Sequence, residues 1–237
     1  MNLNKHYYKL IVDHAEEFPG EEVCGTVELD QNLMVKVNRE KNQSIDKEKM
    51  FSMSPLTVLK RKKLLGIYHS HPNTDENPSD YDINMSEEMG IPFLIYSLVT
   101  RKFFLYYPKS YKAESLSGRP YVTGFYECLC VAKDYFNEVS GIDIHDWNKN
   151  YWPGIRGNID MIKKFEKHMT KVPIQEMRKG DLIVFEIRNE RTYHVGVYDG
   201  EDNFVHQRSQ HLSGRQLLDE RWRGKIKYIY RYIAEKV

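Results

Sequence analysis

The stretch GIYHSHPNTDENPSDYD, at residues 66–82, decides how the first half of the chain is interpreted. An apolar run leads into His69 and His71, and residues i and i+2 of a strand face the same side, so the two imidazoles point at one place. Pro72 ends this strand, and the loop that follows returns Asp82 as a candidate third ligand. Two nitrogens and one carboxylate oxygen, with water in the fourth position, form the ligand set of catalytic zinc.

A zinc site of this kind lowers the pKa of its water to ~7 and still needs a carboxylate to transfer the proton. Glu22, at the mouth of the preceding strand, is the candidate for that role, and Glu21 is its rival. The His-x-His pattern alone is a weak signal, because polar loops with surface histidines contain it as well. The other acidic residues of the stretch, Asp75, Glu76 and Asp80, are interpreted as a solvated loop.

The wider pattern resembles the JAMM signature of the JAB1/MPN metalloprotease superfamily. It consists of Glu22-x-x-Gly25, then His69-Ser70-His71, seven residues that begin with Pro72, and Ser79-x-x-Asp82. The resemblance covers roughly residues 4–108 and implies that His69, His71 and Asp82 bind Zn²⁺. It further implies that Glu22 is the general acid/base and that Ser79 helps to stabilise the oxyanion. Members of this superfamily cleave peptide or isopeptide bonds.

Hydrophobic periodicity predicts a mixed order of helices and strands in this half. Helices are expected at residues 4–17, at 54–63 and from Ser79 or Asp80 onward. Strands are expected at 24–30, 33–40, 64–71, 91–99 and 102–108, the last two as a hairpin. The order of these elements fits the JAB1/MPN fold.

A second group of candidate residues lies in the other half of the chain. Cys128 falls at the start of the predicted helix FYECLCVAKDYFNEV, where the positive helix N-terminus lowers the pKa of a thiol. His194 lies in the predicted strand YHVGVYDG and His206 in the next one, NFVHQ. Neighbouring antiparallel strands can place two histidines side by side, as a base and a group that orients it. Cys130 is the competing nucleophile, but it points about 200° away from Cys128 on the helix.

Two segments of this half resemble NlpC/P60 papain-like peptidases. They are GRPYVTGFYECLCVAKDYF and MRKGDLIVFEIRNERTYHVGVYDGEDNFVHQ, and the resemblance spans about residues 118–232. It implies that Cys128 is the nucleophile, His194 the base and His206 the residue that orients His194. The residue before the nucleophile is commonly Asp in this family and is Glu127 here, which keeps the charge and adds a methylene.

The chain is expected to form two domains of an α+β class. Residues 1–108 form a JAB1/MPN domain of the cytidine-deaminase-like α/β/α type, 109–120 a polar linker, and 121–237 a papain-like NlpC/P60 domain. The second domain is expected to hold one further helix around residues 159–168 and strands from Gly180 onward.

Composition narrows the classes of function. Thirty-five basic and 34 acidic residues nearly cancel, so a nucleic-acid partner is not expected. The N-terminus shows no apolar segment with a cleavage site and the chain no 18-residue apolar run, so neither a signal peptide nor membrane insertion is expected. Three cysteines predict a reducing cytosol rather than a disulfide framework.

The two domains together, without an export signal, resemble tail assembly proteins of lambda-like phages. This resemblance implies a two-site hydrolase: zinc-dependent cleavage of peptide or isopeptide bonds and thiol-dependent cleavage of peptide bridges in host peptidoglycan. The implied partners are other phage tail-tip proteins, and the implied locations are the host cytoplasm during assembly and the virion tail tip. The alternative is a scaffold or interaction protein with vestigial catalytic sites.

Overall fold

The computed structural model describes residues 6–54, 63–111, 115–142, 166, 168–187 and 193–233. These residues form two compact units. Of the described residues, the first unit contains 6–111 together with Val122–Phe125, and the second contains 115–121 and the chain from Tyr126 onward. The helices predicted at 54–63 and 159–168 lie largely outside the described residues.

The first unit is a five-stranded sheet with helices, and its elements follow the predicted order. They are α1 (His6–Glu17), β1 (Cys24–Leu29), β2 (Val35–Glu40), β3 (Leu64–His71), α2 (Asp80–Met89), β4 (Phe93–Ser97) and β5 (Phe103–Tyr106). The strand order is β2-β1-β3-β4-β5. Only β3 and β4 pair in parallel, with α2 as the connection between them, and β4 with β5 forms the predicted hairpin.

The helices of this unit cover both faces of its sheet. Successive residues of a strand point to opposite faces, so the contacts of Ile67 and Tyr68 of β3 identify the helix that covers each face. The hydroxyl of Tyr68 lies 2.8 Å from Nδ1 of His14 on α1. Ile67 belongs to a buried cluster that Met85 and Met89 of α2 pack against. This is the α/β/α arrangement expected for the N-terminal domain, and His69 lies on the α2 side.

The second unit contains one long helix and a six-stranded antiparallel sheet. Its elements are α3 (Cys128–Ser140), β6 (Met169–Lys171), a 3₁₀ turn (Ile174–Glu176), β7 (Leu182–Glu186), β8 (Tyr193–Gly200), β9 (Asn203–His206), β10 (Gly214–Leu217), α4 (Glu220–Arg223) and β11 (Ile226–Tyr232). The strand order is β10-β9-β8-β7-β11-β6. No helix among the described residues is long and apolar enough to cross a membrane.

Alternate residues of the central strands pack into two separate cores. On one face, α3 packs against four buried residues of β7 and β8: Leu182, Val184, Val195 and Val197. On the other face, Phe185, Phe204 and Trp222 belong to a second buried cluster. His194 alternates with Val195 on β8, and His206 lies two residues after Phe204 on β9. Both histidines therefore lie on the same face as Trp222. The α+β fold class expected from the sequence is confirmed.

Candidate active sites

Three side chains of the first unit converge at the end of β3. His69 and His71 are both buried, and Asp82 is buried at the start of α2. One ligand atom from each of the three lies within 4.8 Å of the other two. Asp82 Oδ1 lies 3.0 Å from His69 Nε2, and Asp82 Oδ2 lies 3.4 Å from His71 Nε2. The structure therefore brings the three predicted ligands together.

The first turn of α2 holds the Asp82 carboxylate in place. Ser79 is the N-cap residue, and its hydroxyl accepts a hydrogen bond from the backbone N–H of Asp82. In return, Asp82 Oδ2 accepts hydrogen bonds from the Ser79 hydroxyl, at 2.7 Å, and from its N–H, at 2.8 Å. Burial alone raises the pKa of Asp82, but His69, His71 and Ser79 together hold it well below its usual value. Asp82 is therefore an ionised ligand candidate.

The two histidines differ in their second contacts. His71 donates from Nδ1 to the carbonyl of Asp75, at 2.7 Å, which leaves Nε2 free to bind a metal. Nδ1 of His69 has no hydrogen-bond partner among the described residues, and the 3.0 Å contact of its Nε2 with Asp82 Oδ1 does not have hydrogen-bond geometry. Burial lowers the pKa of His69; burial also lowers that of His71, but the contacts with Asp82 and Asp75 outweigh it and raise the net value.

This donor set fits a divalent cation. Two imidazole nitrogens and a carboxylate oxygen match zinc, and the orphaned buried nitrogens of His69 are what a ligand without its ion shows. The cluster can therefore bind a metal, whereas the identity of that metal as zinc stays a prediction.

Glu22 lies beside this cluster without belonging to it. The residue directly precedes β1, is only 5% exposed and is outside the group of mutually close ligand atoms. Burial raises the pKa of Glu22 to about 8; His71 opposes the rise, while Asp82 and Asp46 add to it. The rival, Glu21, instead pairs with Lys47 at 3.2 Å. Glu22 is therefore the carboxylate beside the cluster, and its proton-transfer role stays a prediction.

The sequence reasoning missed Asn42, which fixes the backbone around Glu22. Asn42 is 6% exposed and donates from Nδ2 to the carbonyls of Glu22, at 2.8 Å, and Met50, at 2.9 Å. Its Oδ1 accepts from the N–H groups of Ser44, at 2.9 Å, and Ser52, at 3.1 Å. No sequence pattern marks Asn42, because all four partners are backbone groups that any residue carries.

In the second unit, Cys128 is the first residue of α3. Burial and the Glu127 carboxylate raise the pKa of its thiol to about 12, while the N–H groups of Val195, Leu129 and Cys128 lower it. The predicted effect of the helix N-terminus is thus present, but burial outweighs it and the net direction is the opposite. Glu127 is the N-cap residue and forms no side-chain cap hydrogen bond. The interaction with Val195 places the thiol beside the residue that follows His194.

Two histidines and a glutamine form a hydrogen-bonded row across three strands. His194 Nε2 lies 2.8 Å from His206 Nδ1, and His206 Nε2 lies 2.8 Å from Gln216 Oε1. The predicted pair of His194 and His206 is therefore brought together. Gln216 was missed, because β10 is short and carries no apolar alternation.

Aromatic rings enclose this histidine pair. Trp222 lies 5.9 Å from the ring of His194 and 5.3 Å from that of His206, and Phe185 stacks on His194. Burial lowers the pKa of His206 to about 4; Gln216 opposes this shift, and Arg208 and His211 add to it. Burial, His206 and Arg208 likewise lower the pKa of His194. Both rings are therefore neutral at neutral pH.

The rival nucleophile, Cys130, is 5% exposed on the same helix. Burial raises the pKa of its thiol to about 12, with Glu127 adding to the rise. The catalytic assignment of Cys128, His194 and His206 stays a prediction.

Two solved structures are similar to parts of the chain. A protein of Desulfitobacterium hafniense solved in solution is 30% identical, with 47% of this chain and 86% of that one covered and a TM-score of 0.34. An NLP/P60 family protein of Staphylococcus aureus subsp. aureus Mu50, described as similar to lipoprotein, is 20% identical with a TM-score of 0.36. This match covers 51% of the present chain and only 38% of the Staphylococcus protein.

Sequence comparisons cover nearly the whole chain. Residues 4–110 match the family described as prokaryotic homologs of the JAB domain, and residues 118–231 match the NlpC/P60 family. Tail tip assembly protein K of Escherichia phage N15 is 25% identical over 229 residues, which are 92% of this chain and 90% of that protein. The chain is therefore a homologue of tail tip assembly protein K that combines a JAB-like domain with an NlpC/P60 domain.

Proposed function

We propose that the protein acts in phage tail assembly and carries two peptidase sites, one zinc-dependent and one thiol-dependent. The similarity to a tail tip assembly protein over 92% of the chain supports the tail role. Other tail-tip proteins are then its partners, in the host cytoplasm during assembly and at the virion tail tip. The substrates proposed are peptide or isopeptide bonds for the zinc site and peptide bridges of host peptidoglycan for the thiol site.

The cluster of His69, His71 and Asp82, with its ligand atoms within 4.8 Å of one another, carries the proposal for the first site. A bound Zn²⁺ would supply an activated water near neutral pH. The ionised form of Glu22 would accept a proton from that water and pass it to the nitrogen of the leaving amine. Ser79 would stabilise the oxyanion only after its hydroxyl leaves Asp82 Oδ2, to which it donates in this structure.

The hydrogen-bonded pair of His194 and His206 supports the proposal for the second site. The thiol of Cys128 would lose its proton to His194, and the sulfur would attack the carbonyl carbon to form a thioester. His194 would return the proton to the leaving amine. Water would then hydrolyse the thioester and regenerate the thiol, while His206 holds His194 in place.

Metal analysis of the purified protein tests the first site. We expect about one zinc per chain, because three protein ligands with an open fourth position bind a single ion. Replacement of His69 and His71 by Ala should remove the zinc, whereas replacement of the exposed His211 should not. A native, folded wild-type protein that takes up no zinc contradicts the proposal.

Digestion of purified peptidoglycan tests the second site. The wild-type protein should release new amino termini, and Cys128→Ala should abolish this release. Cys130→Ala is the matched control, since it removes a thiol from the same helix and should keep the activity. Equal release by the Cys128→Ala variant would show that the thiol mechanism is wrong.

A non-catalytic scaffold is the alternative, and the raised pKa of Cys128 is the observation that favours it. Tail assembly in cells that supply only the Cys128→Ala protein distinguishes the two. Infective phage with an intact host-wall penetration step would support the scaffold. Assembled but poorly infective phage would support the peptidase.

A further inference from the structure

We propose that Gln216 is a positioning residue that sets which nitrogens of His206 and His194 carry hydrogen, so that Nδ1 of His194 is the proton acceptor for Cys128. This inference rests on the proposed thiol-dependent site and adds a fourth member to it. Gln216 touches neither the thiol nor the substrate in this role and acts only through His206.

The hydrogen-bond row determines the pattern step by step. Gln216 Oε1 can only accept, so the hydrogen in its 2.8 Å contact belongs to Nε2 of His206. A neutral imidazole carries one hydrogen, and Nδ1 of His206 is therefore an acceptor. The hydrogen in the 2.8 Å contact between the rings then belongs to Nε2 of His194. This leaves Nδ1 of His194 without hydrogen, which is what a general base requires.

Strand register places the three side chains in one row. His206 pairs with Gly196 of β8 on one side and with Gly214 of β10 on the other. His194 and Gln216 are each two residues from those glycines, and residues two apart on a strand share a face. All three side chains therefore lie on one face, as diagonal neighbours across three adjacent strands.

The argument requires neutral rings, and the surroundings provide them. Phe185, Phe204 and Trp222 pack around the pair, and both histidines are buried. The charged and titratable groups that influence the rings are Arg208, which disfavours a positive charge on both, and His211, which does so for His206. With neither ring charged, the only remaining freedom is which nitrogen of each carries its hydrogen.

The reverse orientation of the glutamine amide would give the opposite result. If Nε2 of Gln216 donated to His206, the hydrogen of His206 would lie on Nδ1 and would be donated to Nε2 of His194. The hydrogen of His194 would then lie on Nδ1, and Cys128 would have no proton acceptor. An acceptor at position 216 is thus needed for a working base.

Two substitutions with opposite hydrogen-bonding character test the role of Gln216. Glu offers only acceptors and Lys only donors, and position 216 is exposed on an edge strand, so both should fold. At pH 8, the ¹⁵N shifts of the labelled imidazoles in the full-length protein report the protonated nitrogen of each ring. Wild type and Gln216→Glu should show hydrogen on Nε2 of both histidines, and Gln216→Lys should lose or reverse this pattern.

The rate of Cys128 alkylation by iodoacetamide, read by mass spectrometry at that residue, gives a second measurement. Gln216→Glu should react at a rate close to that of wild type. Gln216→Lys should react about a hundredfold more slowly, which is within the range for loss of a general base. Circular dichroism should be the same for all three proteins.

The proposal is overturned if wild type carries hydrogen on Nδ1 of His194, a measurement that needs no variant. It is also overturned if Gln216→Lys keeps the wild-type ¹⁵N pattern. These outcomes are independent of peptidoglycan: an intact pattern with no released amino termini contradicts the substrate assignment and leaves the role of Gln216 standing.

Discussion

Phe51 lies nearly flat against the imidazole of His69, with ring centroids 4.4 Å apart and planes 23° from parallel. The ring of Phe93 meets the same imidazole edge-on at 5.8 Å. Metal-binding histidines are commonly oriented by a hydrogen bond from their second nitrogen, and His69 has no such partner among the described residues. Aromatic packing therefore takes over the orientation of this candidate ligand.

Phe51→Leu should weaken zinc binding. The smaller side chain leaves the His69 ring free to tilt, and loss of an orienting group costs roughly 10- to 100-fold in metal affinity. Competition with a chromophoric chelator measures this affinity. Stability should also fall, by on the order of 1 kcal/mol, because Phe51 is buried.

Phe103→Leu is the matched control for this variant. Phe103 and Phe51 are both 7% exposed, but Phe103 packs against Tyr8 and Tyr96 rather than against His69. It should lose similar stability and keep its zinc affinity. Equal affinity in the two variants would show that Phe51 does not orient the ligand.

Asn42→Ala should loosen the segment 43–52 while the three candidate ligands stay in place. The substitution removes four hydrogen bonds from a side chain that is 6% exposed and leaves their backbone partners unsatisfied, a loss of on the order of 3 kcal/mol. Trypsin should then cut faster at Lys47 and Lys49. Zinc affinity should fall no further than in Phe51→Leu, because the segment contains Phe51 but the ligands themselves lie on β3 and α2.

Asn84→Ala serves as the control, since Asn84 is exposed on α2. It should change neither the proteolysis rate nor the stability by a measurable amount. Unchanged trypsin cleavage at Lys47 in Asn42→Ala would contradict the role assigned to Asn42.

Alanine substitution should affect stability differently at the two glycines that pair with His206. A Cβ at Gly196 would lie 2.7 Å from Phe204 Cδ2, 3.0 Å from the carbonyl oxygen of Val205 and 3.2 Å from His206 Cβ. A Cβ at Gly214 would meet nothing closer than 4.0 Å. Gly196→Ala should therefore destabilise the protein by about 1–3 kcal/mol, and Gly214→Ala should change stability by less than about 0.5 kcal/mol.

Chemical denaturation of the two variants, followed by tryptophan fluorescence, measures the difference. Both variants replace Gly by Ala at a strand position that pairs with His206, so the change in strand propensity is the same in the two. Similar losses in both variants would mean that strand propensity, and not the close approach of the added Cβ to Phe204 and Val205, sets the effect.

Local patterns explain why the ligands and strands were predictable. His69 and His71 are two residues apart on β3 and so share a face. The capping box of α2 fixes Asp82 relative to Ser79, three residues before it. Each of these relations depends on spacing along the chain, which the sequence displays directly. The alternation of β7, β8 and β9 was readable for the same reason.

Contacts between distant segments explain what was missed. Gln216 and Phe51 gain their roles from pairing and packing with residues 10 and 18 positions away. The net direction of the Cys128 pKa was also missed, since burial depends on tertiary packing, whereas the helix N-terminus is visible in the sequence. The choice between Glu21 and Glu22 required the position of Lys47.

His14 should make the stability of the first unit fall as the pH is lowered below neutrality. Burial lowers the pKa of His14 from 6.5 to about 4, with Arg39 adding to the shift and Glu17 opposing it. Between these two values the unfolded chain binds more protons than the folded one, so stability is lost as the pH falls. From pH 7.5 to pH 5 this loss amounts to about 2 kcal/mol.

His14→Gln tests this linkage, because Gln does not titrate and can still hydrogen bond to the hydroxyl of Tyr68, which lies 2.8 Å from the imidazole. The free energy of unfolding, measured by denaturant titration at pH 7.5 and pH 5, should fall less in this variant than in wild type by about that amount. Replacement of the exposed His6 by Gln should leave the wild-type pH dependence unchanged. An identical loss of stability in wild type and His14→Gln would show that His14 takes up protons equally in the folded and unfolded states, and the burial argument for this residue would fail.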